Sequence, residues 1–165
     1  MSGLTHIGPD GRAVMVDVSD KPDTVRIAIA SGQIDMSTEA FQQALGRDTK
    51  KGDPLAIAEL AGIMAAKKTS DIIPLCHPLP LSNVKIEIVP DTDQPRLLVR
   101  ARAKTTGKTG VEMEALTAVS VACLTLYDML KAIDKTMTIG AITLVEKSGG
   151  KSGHFINPAS SRSST

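Results

Sequence analysis

Aromatic side chains are almost absent from this chain of 165 residues, which has no Trp, one Tyr and two Phe. A surface that holds single-stranded nucleic acid by base stacking needs more of them, and the core has to be built from Ala, Val, Ile, Leu and Met. Net charge is nearly absent as well. Lys and Arg number 19 against 18 Asp and Glu, leaving +1, which argues against binding nucleic acid by bulk electrostatics. The two cysteines, Cys76 and Cys123, form no CxxC pair; a disulfide framework is excluded and a reducing cytoplasm is the expected compartment. No basic segment followed by an apolar one opens the chain. No uninterrupted apolar run reaches the roughly 18 residues of a membrane span. What remains is a soluble, cytoplasmic protein without a membrane partner. With 42% hydrophobic and 22% charged residues, it is expected to fold, and its length suits one domain.

Period-2 alternation with β-branched residues places a strand over 24–36, with Val25, Ile27 and Ile29 on one face and Arg26, Ala28 and Ala30 on the other. Met15–Val18 could be a further short strand. Ser37 or Thr38 caps a short helix to Leu45. Asp53-Pro54 is an N-cap followed by Pro at the first helical position, opening a helix to about Ser70 lined with Ala56, Ala58, Ala61, Gly62, Ala65 and Ala66, small enough to admit another backbone. Pro74, Pro78 and Pro80 then forbid regular structure. Strands follow at 84–88 and 99–104, then a glycine loop over 105–110. The longest helix, 111–134, is apolar on nearly every side and so should be buried on more than one; one sheet covers one side, and a second subunit should cover the other. A last strand at 139–145 precedes the basic loop Lys147–Gly153. Helices interleaved with four or five strands fit an α+β sandwich, helices packed on one face of a mainly antiparallel sheet. The organisation read here is an arm over 1–12, a single domain over 13–155 and a tail over 156–165.

Several residues invite chemistry. Gly107-Lys108-Thr109 suggests a phosphate loop, but GxxxxGK[ST] would need Gly where Arg102 stands, and Lys151-Ser152 fails at Val145. What survives is that glycine-freed N–H groups and a helix N-terminus attract anions, although an ordinary glycine turn accounts for the same residues. Cys76-His77 has no ligand spacing for a metal. His77, held in a Pro-rich loop, is better placed as an acid, base or hydrogen-bond donor, or simply bonds backbone. Glu112 and Glu114 start the long helix, where the helix dipole alone would explain them. Asp128 and Lys131 have the spacing of a surface ion pair, yet Tyr127, Met129, Leu130 and Ile133 surround them, and half-buried charges tend to be functional. Arg26, Arg102, Lys50, Lys51, Lys108, Lys147 and Lys151 are dispersed cations without net basicity, which suits a small polyanion such as a nucleotide better than DNA, although solvated surface residues would account for most of them individually.

Four stretches taken together resemble one family. Ser70-Asp71-Ile72-Ile73-Pro74-Leu75-Cys76-His77-Pro78-Leu79, the run from Thr106 to Ala118 (TGKTGVEMEALTA), Tyr127-Asp128-Met129-Leu130-Lys131 and Lys147-Ser148-Gly149-Gly150-Lys151-Ser152-Gly153 are similar to the molybdenum cofactor biosynthesis protein C family, the cyclic pyranopterin monophosphate synthases. The likeness runs from about residue 2 to 155. It implies a ferredoxin-like α+β fold, assembled as a hexamer (a trimer of dimers) with active sites at the dimer interface. It also implies a cytoplasmic lyase that converts 3′,8-cyclised dihydroguanosine triphosphate, made upstream by a radical S-adenosylmethionine enzyme, into cyclic pyranopterin monophosphate and pyrophosphate. Matching catalytic positions are Asp128, the acid/base, with Lys131, Lys51 and His77; substrate-binding positions are Leu75, Cys76, His77, Glu112, Met113 and Glu114, joined by Arg26, Lys147 and Lys151. No metal ligand and no resident cofactor are implied, although Mg2+ could accompany the triphosphate. The competing readings are a non-catalytic nucleotide-binding subunit with the same basic pocket, and a structural oligomer whose Asp128–Lys131 pair sets register.

Overall fold

The computed structural model describes residues 5–46, 50 and 52–159. Strands β1 (Thr24–Asp35), β2 (Asn83–Pro90), β3 (Arg96–Gly107), β4 (Thr138–Ser148) and β5 (Phe155–Ile156) form one sheet in the order β2-β3-β1-β4-β5, with every pairing antiparallel. Helices α1 (Thr38–Gly46), α2 (Pro54–Ala66), α3 (Thr69–Ile72) and α4 (Glu112–Leu130) complete the expected α+β arrangement.

The caps explain where the helices begin. Asp53 accepts hydrogen bonds from the Leu55 and Ala56 N–H groups at 3.0 and 3.2 Å, and Ser37 Oγ accepts from Ala40 N–H at 3.2 Å, satisfying donors that a helix start leaves open. The buried Asp134 carboxylate joins α1 to the turn before β4 by accepting from Ser37 N–H and from the Thr136 N–H and hydroxyl. The small residues of α2 admit α4 as their spacing suggests: a Cβ on Gly62 would lie 3.0 Å from the Ala118 carbonyl oxygen of α4 and 3.2 Å from Ile86.

The core lies between the helices and one face of the sheet. It is built from Ala28, Ala30 and Ile34 of β1, Leu97, Val99, Ala101 and Ala103 of β3, and Ala115, Ala118, Val119, Ala122, Leu126 and Leu130 of α4. The small residues of β1 face inward, while Val25, Ile27 and Ile29 lie on the uncovered side. Close approach of α4 is the reason: a Cβ on Gly32 would stand 2.6 Å from Val119 Cγ1.

Some boundaries differ from expectation. Met15–Val18 is not a strand; it runs as irregular chain. The helix expected over 53–70 ends at Ala66, followed by the separate single turn α3. The long helix stops at Leu130, and 131–133 form a turn. β3 and β4 extend to Gly107 and Ser148, taking in parts of both glycine loops, and β5 follows the second loop. At 19 residues α4 has the length and composition of a membrane-crossing helix, but its apolar stripe is buried against the sheet and α2. Its opposite side is open: Leu124 is 58% exposed, and so is Met64 of α2, beside Leu60 at 59%.

Candidate active site

The start of α4 collects most of the residues singled out from the sequence. The turn into it depends on Gly110, where a Cβ would stand 2.0 Å from Glu112 Oε2, so the Glu112 side chain folds back over a residue that has none. The Glu112 carboxylate accepts a hydrogen bond from Lys147 Nζ at 2.8 Å, an ion pair with both side chains largely covered. That pair ties the N-terminus of α4 to the end of β4.

Arg26, 9% exposed, draws both glycine loops together. Its guanidinium donates to the carbonyl oxygens of Gly107 (3.3 Å), Lys108 (3.2 Å) and Gly149 (3.3 Å). Gly149 and Gly150 pass over it with φ of +101° and +73°, and a Cβ on Gly150 would fall 1.7 Å from Arg26 Nη1. Only glycine fits there, on conformation and on space.

Two cavities meet at this corner. One, of about 450 Å³, is lined by Lys21, Thr24, Arg26, Lys108, Thr109, Gly110, Glu112 and 147–152. Four lysines (Lys21, Lys108, Lys147 and Lys151) make it cationic. The Thr24 hydroxyl oxygen in its wall is buried without a hydrogen-bond partner, which is unusual for a native polar atom. The other cavity, of about 390 Å³, is lined by His6, Val16, Val18, Lys21, Leu75, Cys76, His77, Leu79, Glu112, Met113 and Glu114. Lys21, Thr109, Gly110 and Glu112 belong to both, so the cavities form one cleft with a cationic half and a half holding Cys76, His77 and Glu114. Each half has the volume of a small-ligand site.

Glu114 is the chemically distinctive group. It is 4% exposed, and burial pushes its carboxyl up to about 7; a backbone hydrogen bond opposes the rise and the Glu112 charge adds to it. Such a carboxyl can give or take a proton near neutrality. Burial, then the nearby Glu114, also raises the Cys76 thiol, so Cys76 is no thiolate nucleophile. Among the described residues no group of three His, Cys, Asp or Glu could hold a metal ion.

Asp128 and Lys131 stand apart from this cleft. Asp128 lies 16 residues beyond Glu112 on the same helix, roughly 24 Å along its axis. The expected burial is not seen. Lys131 Nζ reaches Asp128 Oδ1 at 2.7 Å with the side chains 51% and 59% exposed, because helical phase puts Asp128 on the open side with Leu124. Nor is the Lys131 pKa lowered by burial: the hydrogen bond to Asp128, and then its charge, raise it. Lys51 lies outside the described residues. Sequence reasoning passed over Lys21 and Thr24 as site residues, and no motif marks them; Val16 and Val18, read there only as part of a possible short strand, line the cleft instead.

The MoaC family model matches residues 15–150. A cyclic pyranopterin monophosphate synthase of Dinoroseobacter shibae is 60% identical over 155 residues, 94% of this chain and 98% of its own length. Proteins of the same name from Cereibacter sphaeroides are 57% identical over the same shares.

Proposed function

The chain belongs to the MoaC family, and on that premise we propose that it is a cyclic pyranopterin monophosphate synthase of molybdenum cofactor biosynthesis. Its substrate is the 3′,8-cyclised dihydroguanosine triphosphate, and its products are cyclic pyranopterin monophosphate and pyrophosphate. The observation that carries this reading is the two-part cleft at the start of α4, cationic on one side and bearing a near-neutral buried carboxyl on the other.

The cationic half takes the triphosphate. Lys21, Lys108, Lys147 and Lys151 neutralise it and stabilise pyrophosphate as it leaves, and any Mg2+ arrives with the phosphates. Arg26 spends its donors on loop carbonyls, so its part is to shape this half. The base sits against Leu75, Cys76, His77 and Met113. The rearrangement opens a C–N bond, closes a pterin ring and forms a cyclic phosphate, so protons move at several heteroatoms. Glu114 and His77 are the exchangers this chain supplies there.

Asp128 and Lys131 join the reaction from a second copy. A straight helix cannot bring both of its ends to one small substrate, and the pair lies on the uncovered apolar side of α4 beside Leu124. The enzyme is therefore a homo-oligomer whose sites combine the start of one α4 with the end of another, and the family resemblance makes that oligomer a trimer of dimers. It works in the cytoplasm after a radical S-adenosylmethionine enzyme. Purified protein incubated with the cyclised triphosphate should release one pyrophosphate per cyclic phosphate formed. Binding without release would instead make it a non-catalytic nucleotide-binding subunit.

A further inference from the structure

The loop that carries Lys151 is held at its two ends by different means. Gly149, Gly150 and Gly153 take positive φ, which sets the path of the loop but gives it no side chains with which to pack. Arg26 fastens its start through the Gly149 carbonyl oxygen. Its exit is β5, which pairs with β4 at only two positions, Phe155 with Lys147 and Ile156 with Glu146. Phe155 and Ile156 are 40% and 58% exposed, so apolar burial does little to hold this strand.

Asn157 supplies what burial does not. Where Ile29 pairs with Glu146 and Ala30 with Leu144, β4 bulges at Val145, and a bulge leaves backbone groups without ladder partners. The Asn157 N–H donates to the Val145 carbonyl oxygen at 2.9 Å. Its side-chain Nδ2 donates to the Leu144 carbonyl oxygen at 2.9 Å and to Thr143 Oγ1 at 3.0 Å. Its Oδ1 accepts from Ala159 N–H at 3.0 Å. A second tie joins His154 Nε2 to Glu146 Oε1 at 2.8 Å. Neither Asn157 nor His154 lines either half of the cleft.

We infer that Asn157 is a positioning residue: by fastening β5 to the β4 bulge, it holds the Gly149–Gly153 loop so that Lys151 stays on the wall of the cationic cavity. The ligand assigned to that cavity rests on the function proposed above; the clamp itself does not. Order in the loop before binding spares the ligand the cost of imposing it.

The test compares Asn157→Ala with the unaltered full-length protein by hydrogen exchange and by calorimetric titration with inorganic pyrophosphate. Exchange should quicken over 149–153 and stay unchanged in β1, β3 and α4. Pyrophosphate affinity should fall on the order of tenfold, and KM should rise while kcat holds. Lys151→Ala combined with Asn157→Ala should lose no more affinity than Lys151→Ala alone, because both act through one loop. Asn157→Asp keeps the shape but loses the Nδ2 donor, so it serves if the alanine variant folds poorly. Unchanged loop exchange, or losses that multiply, would overturn the inference. Quickened exchange in a protein whose unaltered form ignores pyrophosphate would support the clamp and count against the proposed function.

Discussion

Replacing Glu114 with glutamine should alter how stability depends on pH as well as activity. The side chain is almost fully covered, and its pKa rises from 4.5 to about 7 on folding. That rise corresponds to about 3 kcal/mol between the two protonation states. For an acid whose folded pKa is raised, the folded state holds its proton more tightly than the unfolded chain does. The stabilisation is therefore complete below pH 4.5, declines through the window from 4.5 to 7 and is gone above the folded value. Glu114→Gln keeps the volume and cannot ionise. Relative to the parent it should gain up to about 3 kcal/mol between pH 4.5 and 8. With a urea slope of roughly 2 kcal/mol per molar, the difference between the two midpoints should move by more than 1 M across that range, at fixed protein concentration. Turnover should fall on the order of 100-fold or more with the loss of a proton-transfer group. Parallel pH profiles for the two proteins would refute both the burial argument and the choice of Glu114 as a near-neutral acid/base.

Gly150→Ala forces a Cβ to within 1.7 Å of Arg26 Nη1 at a φ of +73°, so it should cost about 1–3 kcal/mol in backbone strain alone and weaken pyrophosphate binding; calorimetry and thermal melts read both. Asp128→Asn removes the carboxylate charge that holds Lys131 up and weakens the hydrogen bond that goes with it. The Lys131 titration followed by NMR should therefore shift down, and turnover should drop by about 10²–10⁴-fold. An unmoved lysine titration or a normal rate would make the pair an ornament of the surface.

The fold was legible where local chemistry decides it. Asp53-Pro54 marks the start of α2 without reference to the rest of the chain, and the small residues around Gly62 announce a close helix contact that the Ala118 carbonyl makes. Alternation in β1 was legible too, but which face goes inside was not: Ile27 and Ile29 look like the core face, and proximity of α4 hands that place to alanine and glycine. Glu114 reads from the sequence as one of two acidic residues complementing a helix dipole. Its burial is a tertiary effect, in a cleft it shares with Cys76 and His77, and nothing in the helix sequence announces it. Asp128 and Lys131 mislead in the opposite sense, because apolar sequence neighbours suggest burial while helical phase turns the pair to the open side. The clasp of Asn157 on the β4 bulge is long-range and has no signature in the sequence.

The central claim is that the cleft at the start of one α4 works with the Asp128 end of another, and subunit mixing tests it most directly. Glu114→Ala and Asp128→Ala proteins, each inactive alone, are combined in equal amounts and allowed to exchange. Half of the random dimers are then mixed, and one of the two sites in each joins an intact Glu114 to an intact Asp128, so activity should return to about one quarter of the unaltered level. Exchange demonstrated by mass spectrometry with no recovered turnover would contradict the account and confine the site to a single chain.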